Sequence, residues 1–237
     1  MNPTAPSDSF GSGRLRRRPA IKICGLTLPE DVEICLYLGV DFTGFIFAEK
    51  SPRRISAQAA AQLPSGRAVR VGVFAGQPLD RVQAIMREAR LDYAQLHGGE
   101  SPDYCRALGP ERVIKVLWPE RAAQGNAPDG NGITAALDRE CALFADACSW
   151  FLLESGTQGG GSGRQLDRAL LTGFTPAKPW FLAGGIGPGN IAHIPGQCRP
   201  NGLDCNSAVE TRPGVKDHEK LHALMRARDA SPFAQQG

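Results

Sequence analysis

Ala20-Ile21-Lys22-Ile23-Cys24-Gly25-Leu26-Thr27-Leu28-Pro29-Glu30-Asp31-Val32 is the stretch that decides the fold. Its first five residues form a short, mostly apolar run that reads as a strand, and Gly25 breaks it. Pro29 then opens a helix at a position where a missing N–H costs nothing. Glu30 and Asp31 follow where acids favour the positive end of the helix dipole. Val32, Cys35, Leu36 and Leu38 recur at helical spacing until Gly39 ends the pattern. One strand, one turn and one helix thus fit into about twenty residues.

The same unit recurs outward from there. Strands are expected at Phe42–Phe47, Ala68–Phe74, Asp92–Leu96, Arg112–Leu117, Trp150–Leu153, Pro179–Ala183 and Gly202–Cys205. Helices are expected at Ser56–Leu63, Leu79–Ala89, Pro102–Leu108, Ile133–Ala147, Asp167–Gly173, Gly189–Ile194 and Asp217–Arg228. Gly125–Gly132 reads as a polar break and Gly156–Gly163 as a loop. Strand–helix alternation implies parallel strands joined by right-handed crossovers. Eight such units, roughly 26 residues each, fit a single closed (β/α)8 TIM barrel. An open doubly wound sheet is the competitor. It would carry a G-x-G-x-x-G fingerprint at the first turn, and Cys24-Gly25-Leu26-Thr27 lacks one.

Composition narrows the function classes. The chain has 237 residues, 42% hydrophobic and 22% charged, which excludes a disordered or fibrous protein. Without an apolar run long enough to span a bilayer, a membrane protein is not expected. The net charge is +3, and Arg14, Arg16, Arg17 and Arg18 against Asp8 already supply 4 − 1 = +3 before residue 20. The body is therefore neutral, and nucleic acid is not an expected partner. Residues 1–19 read as a disordered basic leader without an apolar stretch. Residues 20–228 form the barrel, and 229–237 a loose tail. Seven cysteines without a C-x-x-C pair point to reduced thiols in the cytoplasm and to no metal. The assembly, monomer or homodimer, stays open.

Chemistry in such a barrel sits where strands end at their C-terminal side. Those positions hold Cys24, the Glu49–Arg54 segment, His97, Lys115, Glu154, Gly184-Gly185 and Asp204. Each has a plain alternative. Cys24 could be a small core residue, Glu154 could pair with Lys115, Arg53 or Arg54 could be surface charge, and His97 suits hydrogen-bonded support better than general base. The glycine-rich turns Gly159–Gly163 and Ala183–Ile186, with Asn206–Glu210 after the last strand, suit phosphate. Backbone N–H groups and a short helix start attract an anion there.

These residues resemble the phosphoribosylanthranilate isomerase family of tryptophan biosynthesis. The resemblance rests on KICGLT (22–27), PEDV (29–32), GFIFAEKSPRRIS (44–56), VGVF (71–74), QLHGGESPDYC (95–105), GGSGRQLD (160–167), LAGGIGPGNI (182–191) and LDCNSAVETRPGVKD (203–217), in order. It implies a cofactor-free Amadori rearrangement of an aminoaldose, N-(5-phosphoribosyl)anthranilate, to an aminoketose, with this small phosphorylated molecule as partner. By the resemblance, Cys24 is the base and Glu154 the acid. Asp204 meets the sugar hydroxyls, Arg53 the anthranilate carboxylate, and His97 lends support. Gly160, Gly161, Gly184, Gly185, Asn206 and Ser207 line the substrate and its phosphate.

A thiol acting as base needs nearby positive charge, and a carboxyl acting as acid needs burial, so the two groups are expected to be pushed in opposite directions. Two departures stand out. The family usually has Asp where Glu154 stands, one methylene or about 1.5 Å shorter. It also reads SSGVE where this chain has NSAVE, and alanine's resistance to positive φ predicts a differently placed phosphate loop at Ala208. The competing readings are a related barrel acting on another sugar phosphate, and a non-catalytic binder of a phosphate ligand.

Overall fold

A computed structural model of the chain describes residues 18–119, 130–154, 171 and 173–231. Eight parallel strands close into a barrel: β1 (Ala20–Ile23), β2 (Phe42–Ile46), β3 (Val69–Phe74), β4 (Tyr93–Leu96), β5 (Val113–Leu117), β6 (Trp150–Leu153), β7 (Trp180–Leu182) and β8 (Gly202–Cys205). β8 pairs with β1 in register Ala20↔Gly202 through Ile23↔Cys205, which shuts the seam. The expected TIM barrel is thus the fold. Helices α1 (Pro29–Tyr37), α2 (Ala57–Gln62), α3 (Leu79–Glu88), α4 (Pro102–Leu108), α5 (Gly130–Leu143) and α6 (His218–Ala230) follow β1 to β5 and β8.

Strand alternation sorts side chains into two cores. Ile21, Ile23, Phe45, Phe74 and Leu96 face outward and pack with helix residues such as Val32, Cys35, Val82 and Cys105. Ala20, Phe42, Val71, Ile114, Val116, Trp150, Leu152 and Phe181 form a second cluster that contains no helix residue, and it fills the barrel lumen. Above it Cys24, Ile46 and Val73 make a small third group at the mouth. Both strand faces are buried, which explains near-continuous apolar runs rather than alternation with polar residues.

Local chemistry sets the helix ends. Ser56, Ser101 and Asp217 accept backbone N–H bonds from Ala59, Tyr104 and Lys220 as N-caps. Pro29 and Pro102 occupy first-turn positions, and Gly39 turns the chain after α1 at φ +70.

Three stretches differ from expectation. α5 starts at Gly130, inside the expected break, because Ile133, Ala136 and Leu137 bury on the barrel and override the weak helix preference of Gly and Asn. The expected helix at Gly189–Ile194 is a 3-10 turn, Ile191–Gly196, and Pro195 lacks the N–H an α-helix would use. An antiparallel hairpin, β9 (Glu210–Arg212) and β10 (Val215–Lys216), follows β8, and α6 runs on to Ala230. The expected helix at Asp167–Gly173 lies outside the described residues except for 171 and 173, as do the leader up to 17 and the last six residues. Among the described residues no helix is long and apolar enough to cross a membrane.

Candidate active site

β1 points Ala20, Lys22 and Cys24 into the barrel, and Lys22 has no exposed surface. A buried ammonium is costly unless paired, and Asp204 on β8 supplies the partner. Lys22 Nζ donates to both Asp204 carboxylate oxygens at 2.9 Å. The seam register sets Lys22 opposite Asp204, so barrel closure itself makes the pair. Lys22 is pushed up to about 12: burial works against its charge, and Asp204 and then Cys24 outweigh burial.

Gly44 on β2 forms the floor beside this pair. A Cβ there would stand 3.0 Å from Cys24 Cα, 3.1 Å from Cys24 Sγ and 3.2 Å from Lys22 Nζ. Sulfur and ammonium therefore converge over one glycine, and a larger residue would force them away. Burial raises the Cys24 thiol above its ordinary range. Lys22 and Lys216 pull it down, and Asp204 pushes it up.

Glu154 follows β6 and is half-buried. Burial, then the charge of Asp204, pushes it up to about 7, against the pull of Lys22. It does not pair with Lys115, which instead bonds Glu100 Oε2 at 3.2 Å and the Gly98 carbonyl at 3.0 Å. Glu100 also accepts from the Gly76 and Gly98 N–H groups, so this pair fixes the loops after β3 and β4. Carboxyl and thiol are both shifted upward, which corrects the expectation that they are pushed apart. The cause is that burial outweighs the two lysines at Cys24.

His97, after β4, stands edge-on to Trp118 with ring centroids 4.9 Å apart, and its Nδ1 lies 3.5 Å from Gln95 Nε2. Burial, then the charge of Lys22, pushes it down to about 4. A ring that takes up a proton only near pH 4 is a weak base, which suits support better than proton abstraction.

Arg53, after β2, is gripped by Glu210. Its Nε donates to both carboxylate oxygens at 2.9 and 3.1 Å, and Nη2 donates at 2.7 Å. Lys216 Nζ, fully buried, donates to Glu210 Oε1 at 2.8 Å and to Asn206 Oδ1 at 3.1 Å. Gly25, at φ +73, leaves room for this cluster: a Cβ there would lie 2.7 Å from Arg53 Cδ and 2.9 Å from Asn206 Oδ1. The Asn206 side chain is thus tied to Lys216 below the loop.

Gly184 and Gly185 turn the chain after β7 at φ +94 and +64. Asn190 fastens that turn, donating to the Gly185 carbonyl at 2.8 Å and accepting from Gly187 N–H at 3.0 Å. Ser207, exposed, starts a 3-10 turn through Val209 beside it. Ala208 in that turn has no positive φ, so its methyl carries no backbone strain there. Gly160 and Gly161 lie outside the described residues.

Sequence reasoning missed Lys22, Gly44, Glu210 and Lys216. A lysine at an inward position of an apolar strand, two residues before Cys24, was the available signal, as was a glycine inside β2. Among the described residues no three His, Cys, Asp or Glu groups gather as metal ligands.

Comparison with known proteins places the chain in a family. The family described as N-(5'-phosphoribosyl)anthranilate (PRA) isomerase matches residues 21–227. A curated isomerase of that name from Desulfovibrio desulfuricans is 43% identical over 205 residues, covering 86% of this chain and 93% of the relative. The crystal structure of phosphoribosyl anthranilate isomerase from Thermus thermophilus is 36% identical with a TM-score of 0.71, covering 88% and 97% of the two chains. Another phosphoribosyl anthranilate isomerase, in complex with reduced 1-(o-carboxyphenylamino)-1-deoxyribulose 5-phosphate, is 27% identical with a TM-score of 0.72 over 89% and 98%. A closed parallel barrel with a thiol, a carboxyl and a buried ion pair at its mouth, matched nearly end to end by these relatives, belongs to the N-(5'-phosphoribosyl)anthranilate isomerase family.

Proposed function

We propose that Cys24 and Glu154 carry the aldose–ketose isomerisation of the family, the tryptophan-biosynthetic step, as base and acid on N-(5'-phosphoribosyl)anthranilate. One observation supports this most: Cys24 and Glu154, on strands that are not neighbours in the barrel, both feel the charges of the same Lys22–Asp204 pair. A single small sugar bound over that pair is within reach of both.

Glu154, protonated up to about pH 7, gives its proton to the furanose ring oxygen; the C1–O bond breaks and an iminium forms. The Cys24 thiolate takes the C2 proton. The C–H pair becomes the C1–C2 double bond, and the iminium electrons return to nitrogen. The enolamine then gains a proton at C1 and loses one from the C2 hydroxyl, giving the ketone. Passing a proton from the Cys24 thiol back to Glu154 resets the site, so charge and hydrogens balance.

Asp204 accepts from the sugar hydroxyls. The Arg53 atom left beyond the grip of Glu210, Nη1, meets the anthranilate carboxylate. The turns at Gly184-Gly185 and Asn206-Ser207 cradle the phosphate with backbone N–H groups.

Consumption of the fluorescent anthranilate adduct by the purified chain tests this reading. Cys24→Ser and Glu154→Gln each lower kcat by about two orders of magnitude or more while the fold stays intact. Near-native turnover in both variants would remove them from the mechanism.

A further inference from the structure

We propose that Lys22 is a positioning residue for the proton-abstraction step: its ammonium, held between the Asp204 carboxylate and the Cys24 sulfur above Gly44, keeps the thiolate in place to take the C2 proton. This rests on the reading of Cys24 as the base. The geometry supports it on three sides. Lys22 Nζ is fully buried and bonds both Asp204 oxygens at 2.9 Å. It shares the surface of Gly44 with Cys24 Sγ, the two atoms standing 3.2 and 3.1 Å from one point. That glycine allows the approach, and the seam pairing of β1 with β8 fixes the carboxylate opposite.

The groups facing Cys24 show why this cation matters. Burial alone holds the thiol protonated. Against it stand Lys22 on β1, Lys216 on β10 and Arg53 after β2; with it stands Asp204 on β8. Glu210 holds both Lys216 and Arg53, so much of their field is already answered. His97 is neutral, and Glu154 carries its proton below about pH 7. Lys22 is left as the largest influence favouring the thiolate. When Asp204 accepts hydrogen bonds from sugar hydroxyls, its hold on the ammonium weakens, and the field of Lys22 falls more fully on sulfur. More of the thiol is thus ionised when substrate is present. In the step itself the thiolate becomes a thiol beside an unchanged ammonium, and no electrons leave the substrate.

The test follows thiolate absorbance with pH in the full chain, each protein read against its Cys24→Ser counterpart. Lys22→Met moves the Cys24 midpoint up by about one pH unit or more, which is about a ten-fold loss of thiolate at a fixed pH below it. Asp204→Asn moves it down. The acidic limb of kcat/KM against pH shifts with the midpoint in Lys22→Met, and kcat falls more than KM rises. A purely structural role for Lys22 would leave both unmoved. A folded Lys22→Met whose midpoint stays put overturns the proposal; if that variant does not fold, Asp204→Asn decides, and a midpoint unchanged or raised overturns it. Native turnover in Cys24→Ser would sink the assigned base instead, so the two failures are distinguishable.

Discussion

Gly187 makes room for Ala208. A Cβ on Gly187 would stand 2.8 Å from the Ala208 methyl, well inside van der Waals contact. The loops after β7 and β8 therefore meet through a glycine on one side and a methyl on the other, and the extra methyl of this chain is absorbed without strain. Gly187→Ala overpacks the contact, costing about 1–3 kcal/mol, and raises KM more than it lowers kcat. Gly187→Ala with Ala208→Gly restores most of the loss. A four-protein cycle measuring KM and inhibition by inorganic phosphate checks this, and full additivity would show that the two loops do not communicate.

The alkaline limb comes from Glu154. With the carboxyl at about 7, kcat/KM falls as pH rises above 7, because the proton donor is then lost. The same shift affects stability. The folded chain binds the proton more tightly than the unfolded one, so this contribution is full below the ordinary value of 4.5 and is lost as pH rises to about 7. Glu154→Gln removes that slope. Urea midpoints at pH 5 and 8 read it, and a parent-like slope in the variant would place it elsewhere.

For His97 the sign reverses. The folded chain holds the ring neutral down to about 4, so its contribution is present above 6.5 and lost as pH falls from 6.5 to about 4. His97→Asn flattens the acid side of the stability profile but leaves the pH limbs of kcat in place. A limb near pH 4 that vanishes in His97→Asn would make the ring a proton carrier after all.

Glu210 answers two cations, Arg53 and the fully buried Lys216. Glu210→Ala strands Lys216 in the interior and lowers stability by about 3–5 kcal/mol. It also frees the Arg53 fork, so KM rises in whatever enzyme remains folded. Denaturant titration and substrate saturation measure the two effects. A variant as stable as the parent would mean that water already reaches this pair.

A Cβ on Gly44 presses on Cys24 and Lys22 together. Gly44→Ala lowers kcat by about ten-fold or more, since small displacements of a reacting group are costly. The fold survives because the neighbours need yield only a little. Circular dichroism beside kcat checks this.

The barrel was legible because its strand and helix periods are strong and repeat. Pro29 and Pro102 even mark their helix starts. The strand-end rule likewise placed Cys24, Glu154, His97 and Asp204 at one mouth. What escaped was long-range pairing. Lys22 and Asp204 meet across a separation of 182 residues, and nothing local in either segment announces the partner. The hairpin at Glu210–Lys216 was hidden for the same reason: Thr27, Asp31 and Arg53, all distant in the chain, help to hold it. α5 began early because burial overrode the weak preference of glycine and asparagine.

The seam between the first strand and the last has a consequence for biogenesis. Lys22 leaves the ribosome well before Asp204, 182 residues further along, and before Glu210 and Lys216 beyond it. Until Asp204 emerges the nascent amine lacks this carboxylate, and the mouth of the barrel lacks one wall. Catalytic competence therefore arrives in one late event, when the final strand docks beside the first, and a translation arrest even shortly before that point yields no partial enzyme.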